Sequence, residues 1–162
     1  MDVVTDRLFR NLAWANTHVF DRIAEKPQEH LKLTAPNDTW TVAEILEHFM
    51  ASFYAHLLDG KENIPTHTPV SKDEVLAFRD LSLTFDQRLR ESAKNPSGFV
   101  EFTRSDGTKV RRNRETVLTQ CMHHATEHRA QIAGIFANNG LKVIDVDAID
   151  MWKFANHEGL GD

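Results

Sequence analysis

A single cysteine, Cys121, is all the thiol this 162-residue chain carries, which excludes an internal disulfide and fits a reducing compartment. No run of 18 uninterrupted apolar residues occurs, so no membrane-spanning helix is expected. Met1 to Asp6 contains no basic segment feeding an apolar run, and the expected location is the cytoplasm. Positive charge is in deficit: 19 Lys and Arg against 24 Asp and Glu give a formal charge of -5. Such a field repels polyphosphate, and nucleic acid is not an expected partner. Internal repeats and low-complexity tracts are also missing. What remains is an ordinary globular composition, 41% hydrophobic and 27% charged, of a length that suits one domain over residues 1–162.

Apolar residues recur at helical spacing in four long segments. From about Thr5 to Glu25, Leu8, Leu12, Ala15, Val19 and Ile23 define one face before Pro27 intervenes. Phe9, Trp14 and Phe20 widen that face, which suits either a well-covered core or a partner. After Pro36, Asn37 and Asp38, Thr41 is placed to cap a second helix, and Glu44 completes a capping box. This helix is expected to run to about Leu58 and stop at Asp59 and Gly60. Residues 61–70, with Pro65 and Pro69, lack periodicity and read as a long crossover. Ser71 opens a third helix whose stripe is Val75, Phe78, Ser82, Phe85 and Leu89, with one polar interruption, and Asn95, Pro96 and Gly98 end it.

Between Phe99 and Arg112 the period changes to two, and Asp106 with Gly107 supplies a tight turn, so a small hairpin is expected. The longest helix follows from about Arg114 to Asn138 and closes on Asn139 and Gly140. A short helix near Asp145 to Ala155 completes the chain. The expected fold is all-α: a four-helix bundle with a long crossover and a small β-hairpin before the last long helix.

Nine histidines are the most conspicuous surplus. His30 and His67 fall in connections, His157 near the tail, and His123 off the stripe of its helix, so these four read as surface residues. His124 and His128 differ. They lie one turn apart on the stripe formed by Val117, Cys121, His124, His128, Ile132 and Ile135, where two imidazoles can share one cation near 2.1 Å or be satisfied by protein hydrogen bonds. Ala125 stands where a zinc-peptidase helix would carry its glutamate, which argues against a peptidase. A catalytic metal needs a third ligand, with His18, His48, His56 and Cys121 as candidates. On the second helix, the stripe of Val42, Leu46, Phe49, Phe53 and Leu57 favours His56, since His48 falls on its flank. Cys121 itself reads as a small core residue.

Trp40, followed eight residues later by His48 in WTVAEILEH, resembles the second-helix signature of the DinB-like (DinB/YfiT) family of metal-dependent enzymes. His124, His128, Arg129 and Gln131 resemble its second signature, HxxxHRxQ, in the expected order and with the expected intervening helix and hairpin. The resemblance covers nearly the whole chain. Carried over residue by residue, it implies a metal site of His48, His124 and His128 and ranks His48 above His56.

Three neutral imidazoles would leave a divalent ion its full charge and at least one position for water or substrate. Zinc is the first expectation, with nickel, manganese and iron compatible. Characterised relatives include transferases and isomerases that use a low-molecular-weight thiol such as mycothiol or bacillithiol. The resemblance therefore implies thiol-dependent transferase chemistry on a small electrophile. Two other functions fit the residues: a metal-dependent hydrolase, and a non-enzymatic, metal-stabilised interaction module. A homodimer is expected, since bundle helices with broad apolar faces often pair. Glu44 and Glu47, one turn or less from His48, read mainly as helix-start charges. Arg104, Lys109, Arg111, Arg112 and Arg114 read mainly as a solvated hairpin base.

Overall fold

The computed structural model describes residues 1–36, 39–51, 65–104 and 106–161, apart from the side chains of Met50 and Ala51. Among the described residues there are five α-helices: α1 (Val3–Ala24), α2 (Val42–Ala51), α3 (Lys72–Ser92), α4 (Arg114–Asn138) and α5 (Met151–His157). Strands β1 (Phe99–Thr103) and β2 (Lys109–Asn113) form an antiparallel ribbon between α3 and α4. Short 3₁₀ turns occupy Gln28–Lys32 and Val146–Ile149. The expected extension of the second helix toward Leu58, its stop at Asp59 and Gly60, and the start of the crossover lie outside the described residues.

Helix α1 packs on α3, α3 on α2, α2 on α4, and α4 back on α1, which closes a ring of four helices around one core. Each begins where a side chain can accept from the first free backbone amides: Asp2 for α1, Ser71 for α3 and Asn113 for α4. The capping box of α2 is reciprocal. The Thr41 amide donates to Glu44 Oε2 at 2.7 Å, and the Glu44 amide donates to Thr41 Oγ1 at 3.2 Å. At the far end of α4, Gly140 adopts φ +73°, and the Leu141 amide reaches back to the Phe136 carbonyl at 2.9 Å, closing the helix.

All five residues of the α3 stripe are buried, Ser82 included. On α1 the expected stripe is displaced at its start. Leu8 is 39% exposed, whereas Phe9, Asn16 and Phe20 join Leu12, Ala15, Val19 and Ile23 in the core. Phe9 and Phe20 are larger than Leu8, and turning the helix toward them buries more apolar surface. Trp14, also beyond the stripe, is covered from within the chain. It packs against the rings of Phe154 and His157 on α5 at centroid distances of 5.4 and 5.5 Å. Arg7 and Arg10 of α1 both pair with Glu158 at the end of that helix.

The ribbon keeps its two-residue period. Val100 and Val110 face inward, while Phe99 and Glu101 face solvent. Arg111 pairs with Glu101 at 3.3 Å and lies over the Phe99 ring at 3.6 Å, so it is engaged within the ribbon. Gly107 at φ +83° makes the turn, where the Gly107 amide donates to the Arg104 carbonyl. No described helix is long and apolar enough to cross a membrane.

Candidate metal centre

The pairing of α2 with α4 brings three imidazoles together. His48 Nε2 lies 3.1 Å from His124 Nε2, and His128 Nε2 lies 3.1 Å from that same atom. All three nitrogens fall within 4.8 Å of one another, and each residue is half-buried. Among the described residues, His18 and Cys121 do not join this group. His18 packs against Trp14 on α1, and Cys121 is fully buried in the core. His56, favoured by periodicity, lies outside the described residues.

His48 reaches the group from the flank of α2. Val42, Ile45, Leu46 and Phe49 point into the core of the bundle, and the position beside them looks across the groove at α4. The helical wheel measures distance from the centre of the apolar stripe, whereas a site between two helices is built at the margin of both stripes. His124 and His128 occupy that margin on α4, where Cys121 and Ala125 are the fully buried neighbours. His123 is exposed, as its angular offset requires, and so are His67 and His157. His30 is half-buried with its ring edge-on to Phe136, so it is less exposed than a residue in a connection was expected to be.

Trp40 ties the two signatures together. Its indole meets His48 edge to face at 4.5 Å between centroids and lies nearly parallel to the His128 ring at 6.0 Å. The remaining signature residue on that side is Gln131, whose Oε1 lies 2.9 Å from His128 Nδ1. An amide oxygen only accepts, so Nδ1 carries the proton and the Nε2 lone pair of His128 is directed into the group.

Burial, and next the neighbouring His128, lowers the pKa of His48. Burial, followed by His128 and His48, pushes His124 down to about 4. Both rings are therefore neutral at pH 7, the form that ligates metals. His124 Nε2 faces two other ring nitrogens, and one proton there can bridge to only one of them. A cation accepting all three lone pairs satisfies the whole set. With ligand bonds near 2.1 Å, nitrogens subtending 90° to 110° at one ion stand roughly 3.0 to 3.4 Å apart, and the 3.1 Å spacings match that range. The residues fit a divalent ion.

Residues 1–158 match the DinB family. The chain belongs to the DinB family. No curated protein and no solved structure matches it. Family membership and the three-histidine group are compatible with a metal-binding protein, and the DinB signatures can be read as geometry: two of their residues, Trp40 and Gln131, contact the imidazoles directly.

The arginine of HxxxHRxQ, Arg129, points elsewhere, into a polar cluster inside the bundle. Its Nη1 donates to Asn16 Oδ1 of α1 at 2.6 Å, and Asn16 Nδ2 donates to Asp86 Oδ2 of α3 at 3.0 Å. Ser82 Oγ lies 3.5 Å from the same carboxylate oxygen. Burial pushes Asp86 up to about 7, against the opposing influence of Asn16 and the Arg129 charge. Neither Asn16 nor Asp86 stands out in the sequence as functional. The available signal is a polar residue in register with an apolar stripe, Asn16 four after Leu12 and Asp86 four after the interrupting Ser82. Glu44 is occupied with its cap, and Glu47 is half-exposed beside His48.

Proposed function

We propose that this DinB protein is a metalloenzyme in which His48, His124 and His128 hold one divalent ion, zinc first among the candidates, with a coordination position left for a small molecule. The carrying observation is the convergence of three Nε2 atoms from two helices at 3.1 Å spacings. An ion held by neutral ligands only keeps its full charge and lowers the pKa of a thiol or water that joins it.

Within this reading the reaction is transfer of a low-molecular-weight thiol to a small electrophile. The thiol loses its proton to solvent, its sulfur forms a bond to the electrophilic carbon, and the leaving group departs with the bonding pair. One feature of the chain supports an external thiol. Its own cysteine, Cys121, is buried, and burial, with Asp86 adding to it, pushes the thiol up to about 12, so it supplies no thiolate at neutral pH.

The test pairs metal analysis of the purified protein with turnover of a chromogenic alkylating electrophile, with and without added small thiols. Stoichiometric metal that is lost in His48→Ala, with turnover that requires thiol, is the expected result. Turnover indifferent to thiol, or hydrolysis of an ester by the same loaded protein, overturns the transferase reading in favour of a hydrolase. A tightly bound metal with no turnover of either kind favours the interaction module.

A further inference from the structure

Around the level of the histidines, α4 has a weak apolar grip on the rest of the bundle. Val117 and Leu118 anchor its first turns, and Ile132, Ile135 and Phe136 anchor its last, but between them the buried residues are Cys121, Ala125 and Arg129. These three are spaced by four and form one row. Two of them are small, and apolar contacts between small side chains tolerate rotation of a helix about its axis. Hydrogen bonds do not, because donor and acceptor must keep both distance and direction.

Arg129 supplies two directional contacts at this level. Its side chain is buried, its Nη1 donates to Asn16 on α1, and its Nη2 donates to Thr126 Oγ1 one turn back at 2.9 Å. Asn16, itself fully buried, passes the connection to Asp86 on α3. Thus α1, α3 and α4 are joined by one chain of polar contacts that starts at the residue next to His128, where α4 meets α1. A ring nitrogen stands roughly 6 Å from the helix axis, so a rotation of about 10° would carry it about 1 Å.

We infer that Arg129, held through Asn16 to Asp86, is a positioning residue that fixes the rotation of α4 and thereby aims His124 and His128 at His48. The inference rests on the proposed metal reading for its consequence, but its geometry is that of the histidines themselves.

Two measurements test it. In metal-free protein, long-range proton–nitrogen NMR of the imidazoles reads the rings directly. With Co(II) alone as the probe, the intensity of the visible d–d bands reads coordination geometry, and chelator competition reads affinity. Arg129→Met, which keeps the apolar stem, and Asn16→Ala are expected to retain native circular dichroism, to shift the ring signals of His124 and His128 but not of exposed His67, and to bind Co(II) roughly tenfold more weakly with altered band intensity. Arg129→Lys is expected to restore part of the affinity.

Leu89→Ala, a core truncation on α3, controls for lost stability and is expected to leave the Co(II) spectrum unchanged. If Arg129→Met does not fold, exposed Thr126→Val removes the second guanidinium contact together with the local Thr126 hydroxyl bond to the Met122 carbonyl, and a threefold loss is expected. Imidazole signals and Co(II) affinity unchanged in the folded variants would overturn the inference while leaving the metal reading intact. A wild-type protein that binds no Co(II) would overturn the metal reading, and the NMR arm would still decide this one.

Discussion

The Nδ1 atom of His128 and the amide oxygen of Gln131 lie 2.9 Å apart, three residues along the same helix. That contact selects the tautomer in which Nε2 has a free lone pair, and it holds the ring against rotation about χ2. Gln131→Leu is expected to reduce metal affinity by about 10- to 100-fold with little change in unfolding midpoint, since outer contacts to metal-ligating histidines contribute on this scale. Chelator competition alongside urea denaturation checks both parts. Affinity within twofold of the wild type would mean that the tautomer is set by something else.

The start of α2 governs where His48 stands, because Trp40 precedes the cap and His48 follows two turns later. Removing the Thr41 hydroxyl breaks its hydrogen bonds with Glu44 and leaves one helix amide without its side-chain acceptor. Thr41→Ala is expected to cost about 1 kcal/mol in urea unfolding and to lower metal affinity by a smaller factor than Gln131→Leu does. Exposure near zero of Val42, Ile45 and Leu46 keeps the helix itself in place.

The fold was readable in the sequence because its cues are local and repeat. Helices α3 and α4 begin and end within three residues of the positions marked by Ser71, Asn95, Arg114 and Gly140, where capping chemistry leaves few alternatives. The third histidine was not readable by the same means. His48 contributes to a groove between two helices, a position set by how α2 and α4 pack, and a wheel drawn for one helix ranks it below His56. The resemblance to a family ranks His48 first, and His48 stands with His124 and His128 among the described residues. The Asn16–Asp86–Arg129 chain was hidden for a related reason: each residue interrupts an apolar stripe singly, and only the packing of three helices shows that the interruptions meet.

Cys121 is expected to be inert. It is fully buried, and a thiol held near 12 carries almost no thiolate at pH 7.5. A thiol-reactive disulfide reagent should label the native protein at least a hundredfold more slowly than the urea-unfolded chain. Cys121→Ala should cost about 1 kcal/mol for the vacated space while retaining the metal content and thiol dependence of the wild type. Loss of turnover in that variant, with metal retained, would return the nucleophile to the protein.

Asp86 and His124 are expected to give stability opposite dependences on pH over the same range. For Asp86 the folded pKa, about 7, lies above the ordinary 3.8, so the folded state binds more protons than the unfolded one between those values. Its contribution is fully present below pH 3.8 and is lost as pH rises through about 7, amounting at most to about 4 kcal/mol. For His124 the folded pKa, about 4, lies below 6.5, so its contribution is present above pH 6.5 and is lost as pH falls toward 4. That ring is half-exposed, and solvent makes its effect the smaller one. In metal-free protein the two slopes partly cancel. Asp86→Asn should therefore leave a stability that rises from pH 4 to 7, and His124→Gln one that falls over that range. Urea denaturation at five or six pH values in a metal-free buffer measures both, and two variants with parallel profiles would show that neither group titrates as its surroundings require.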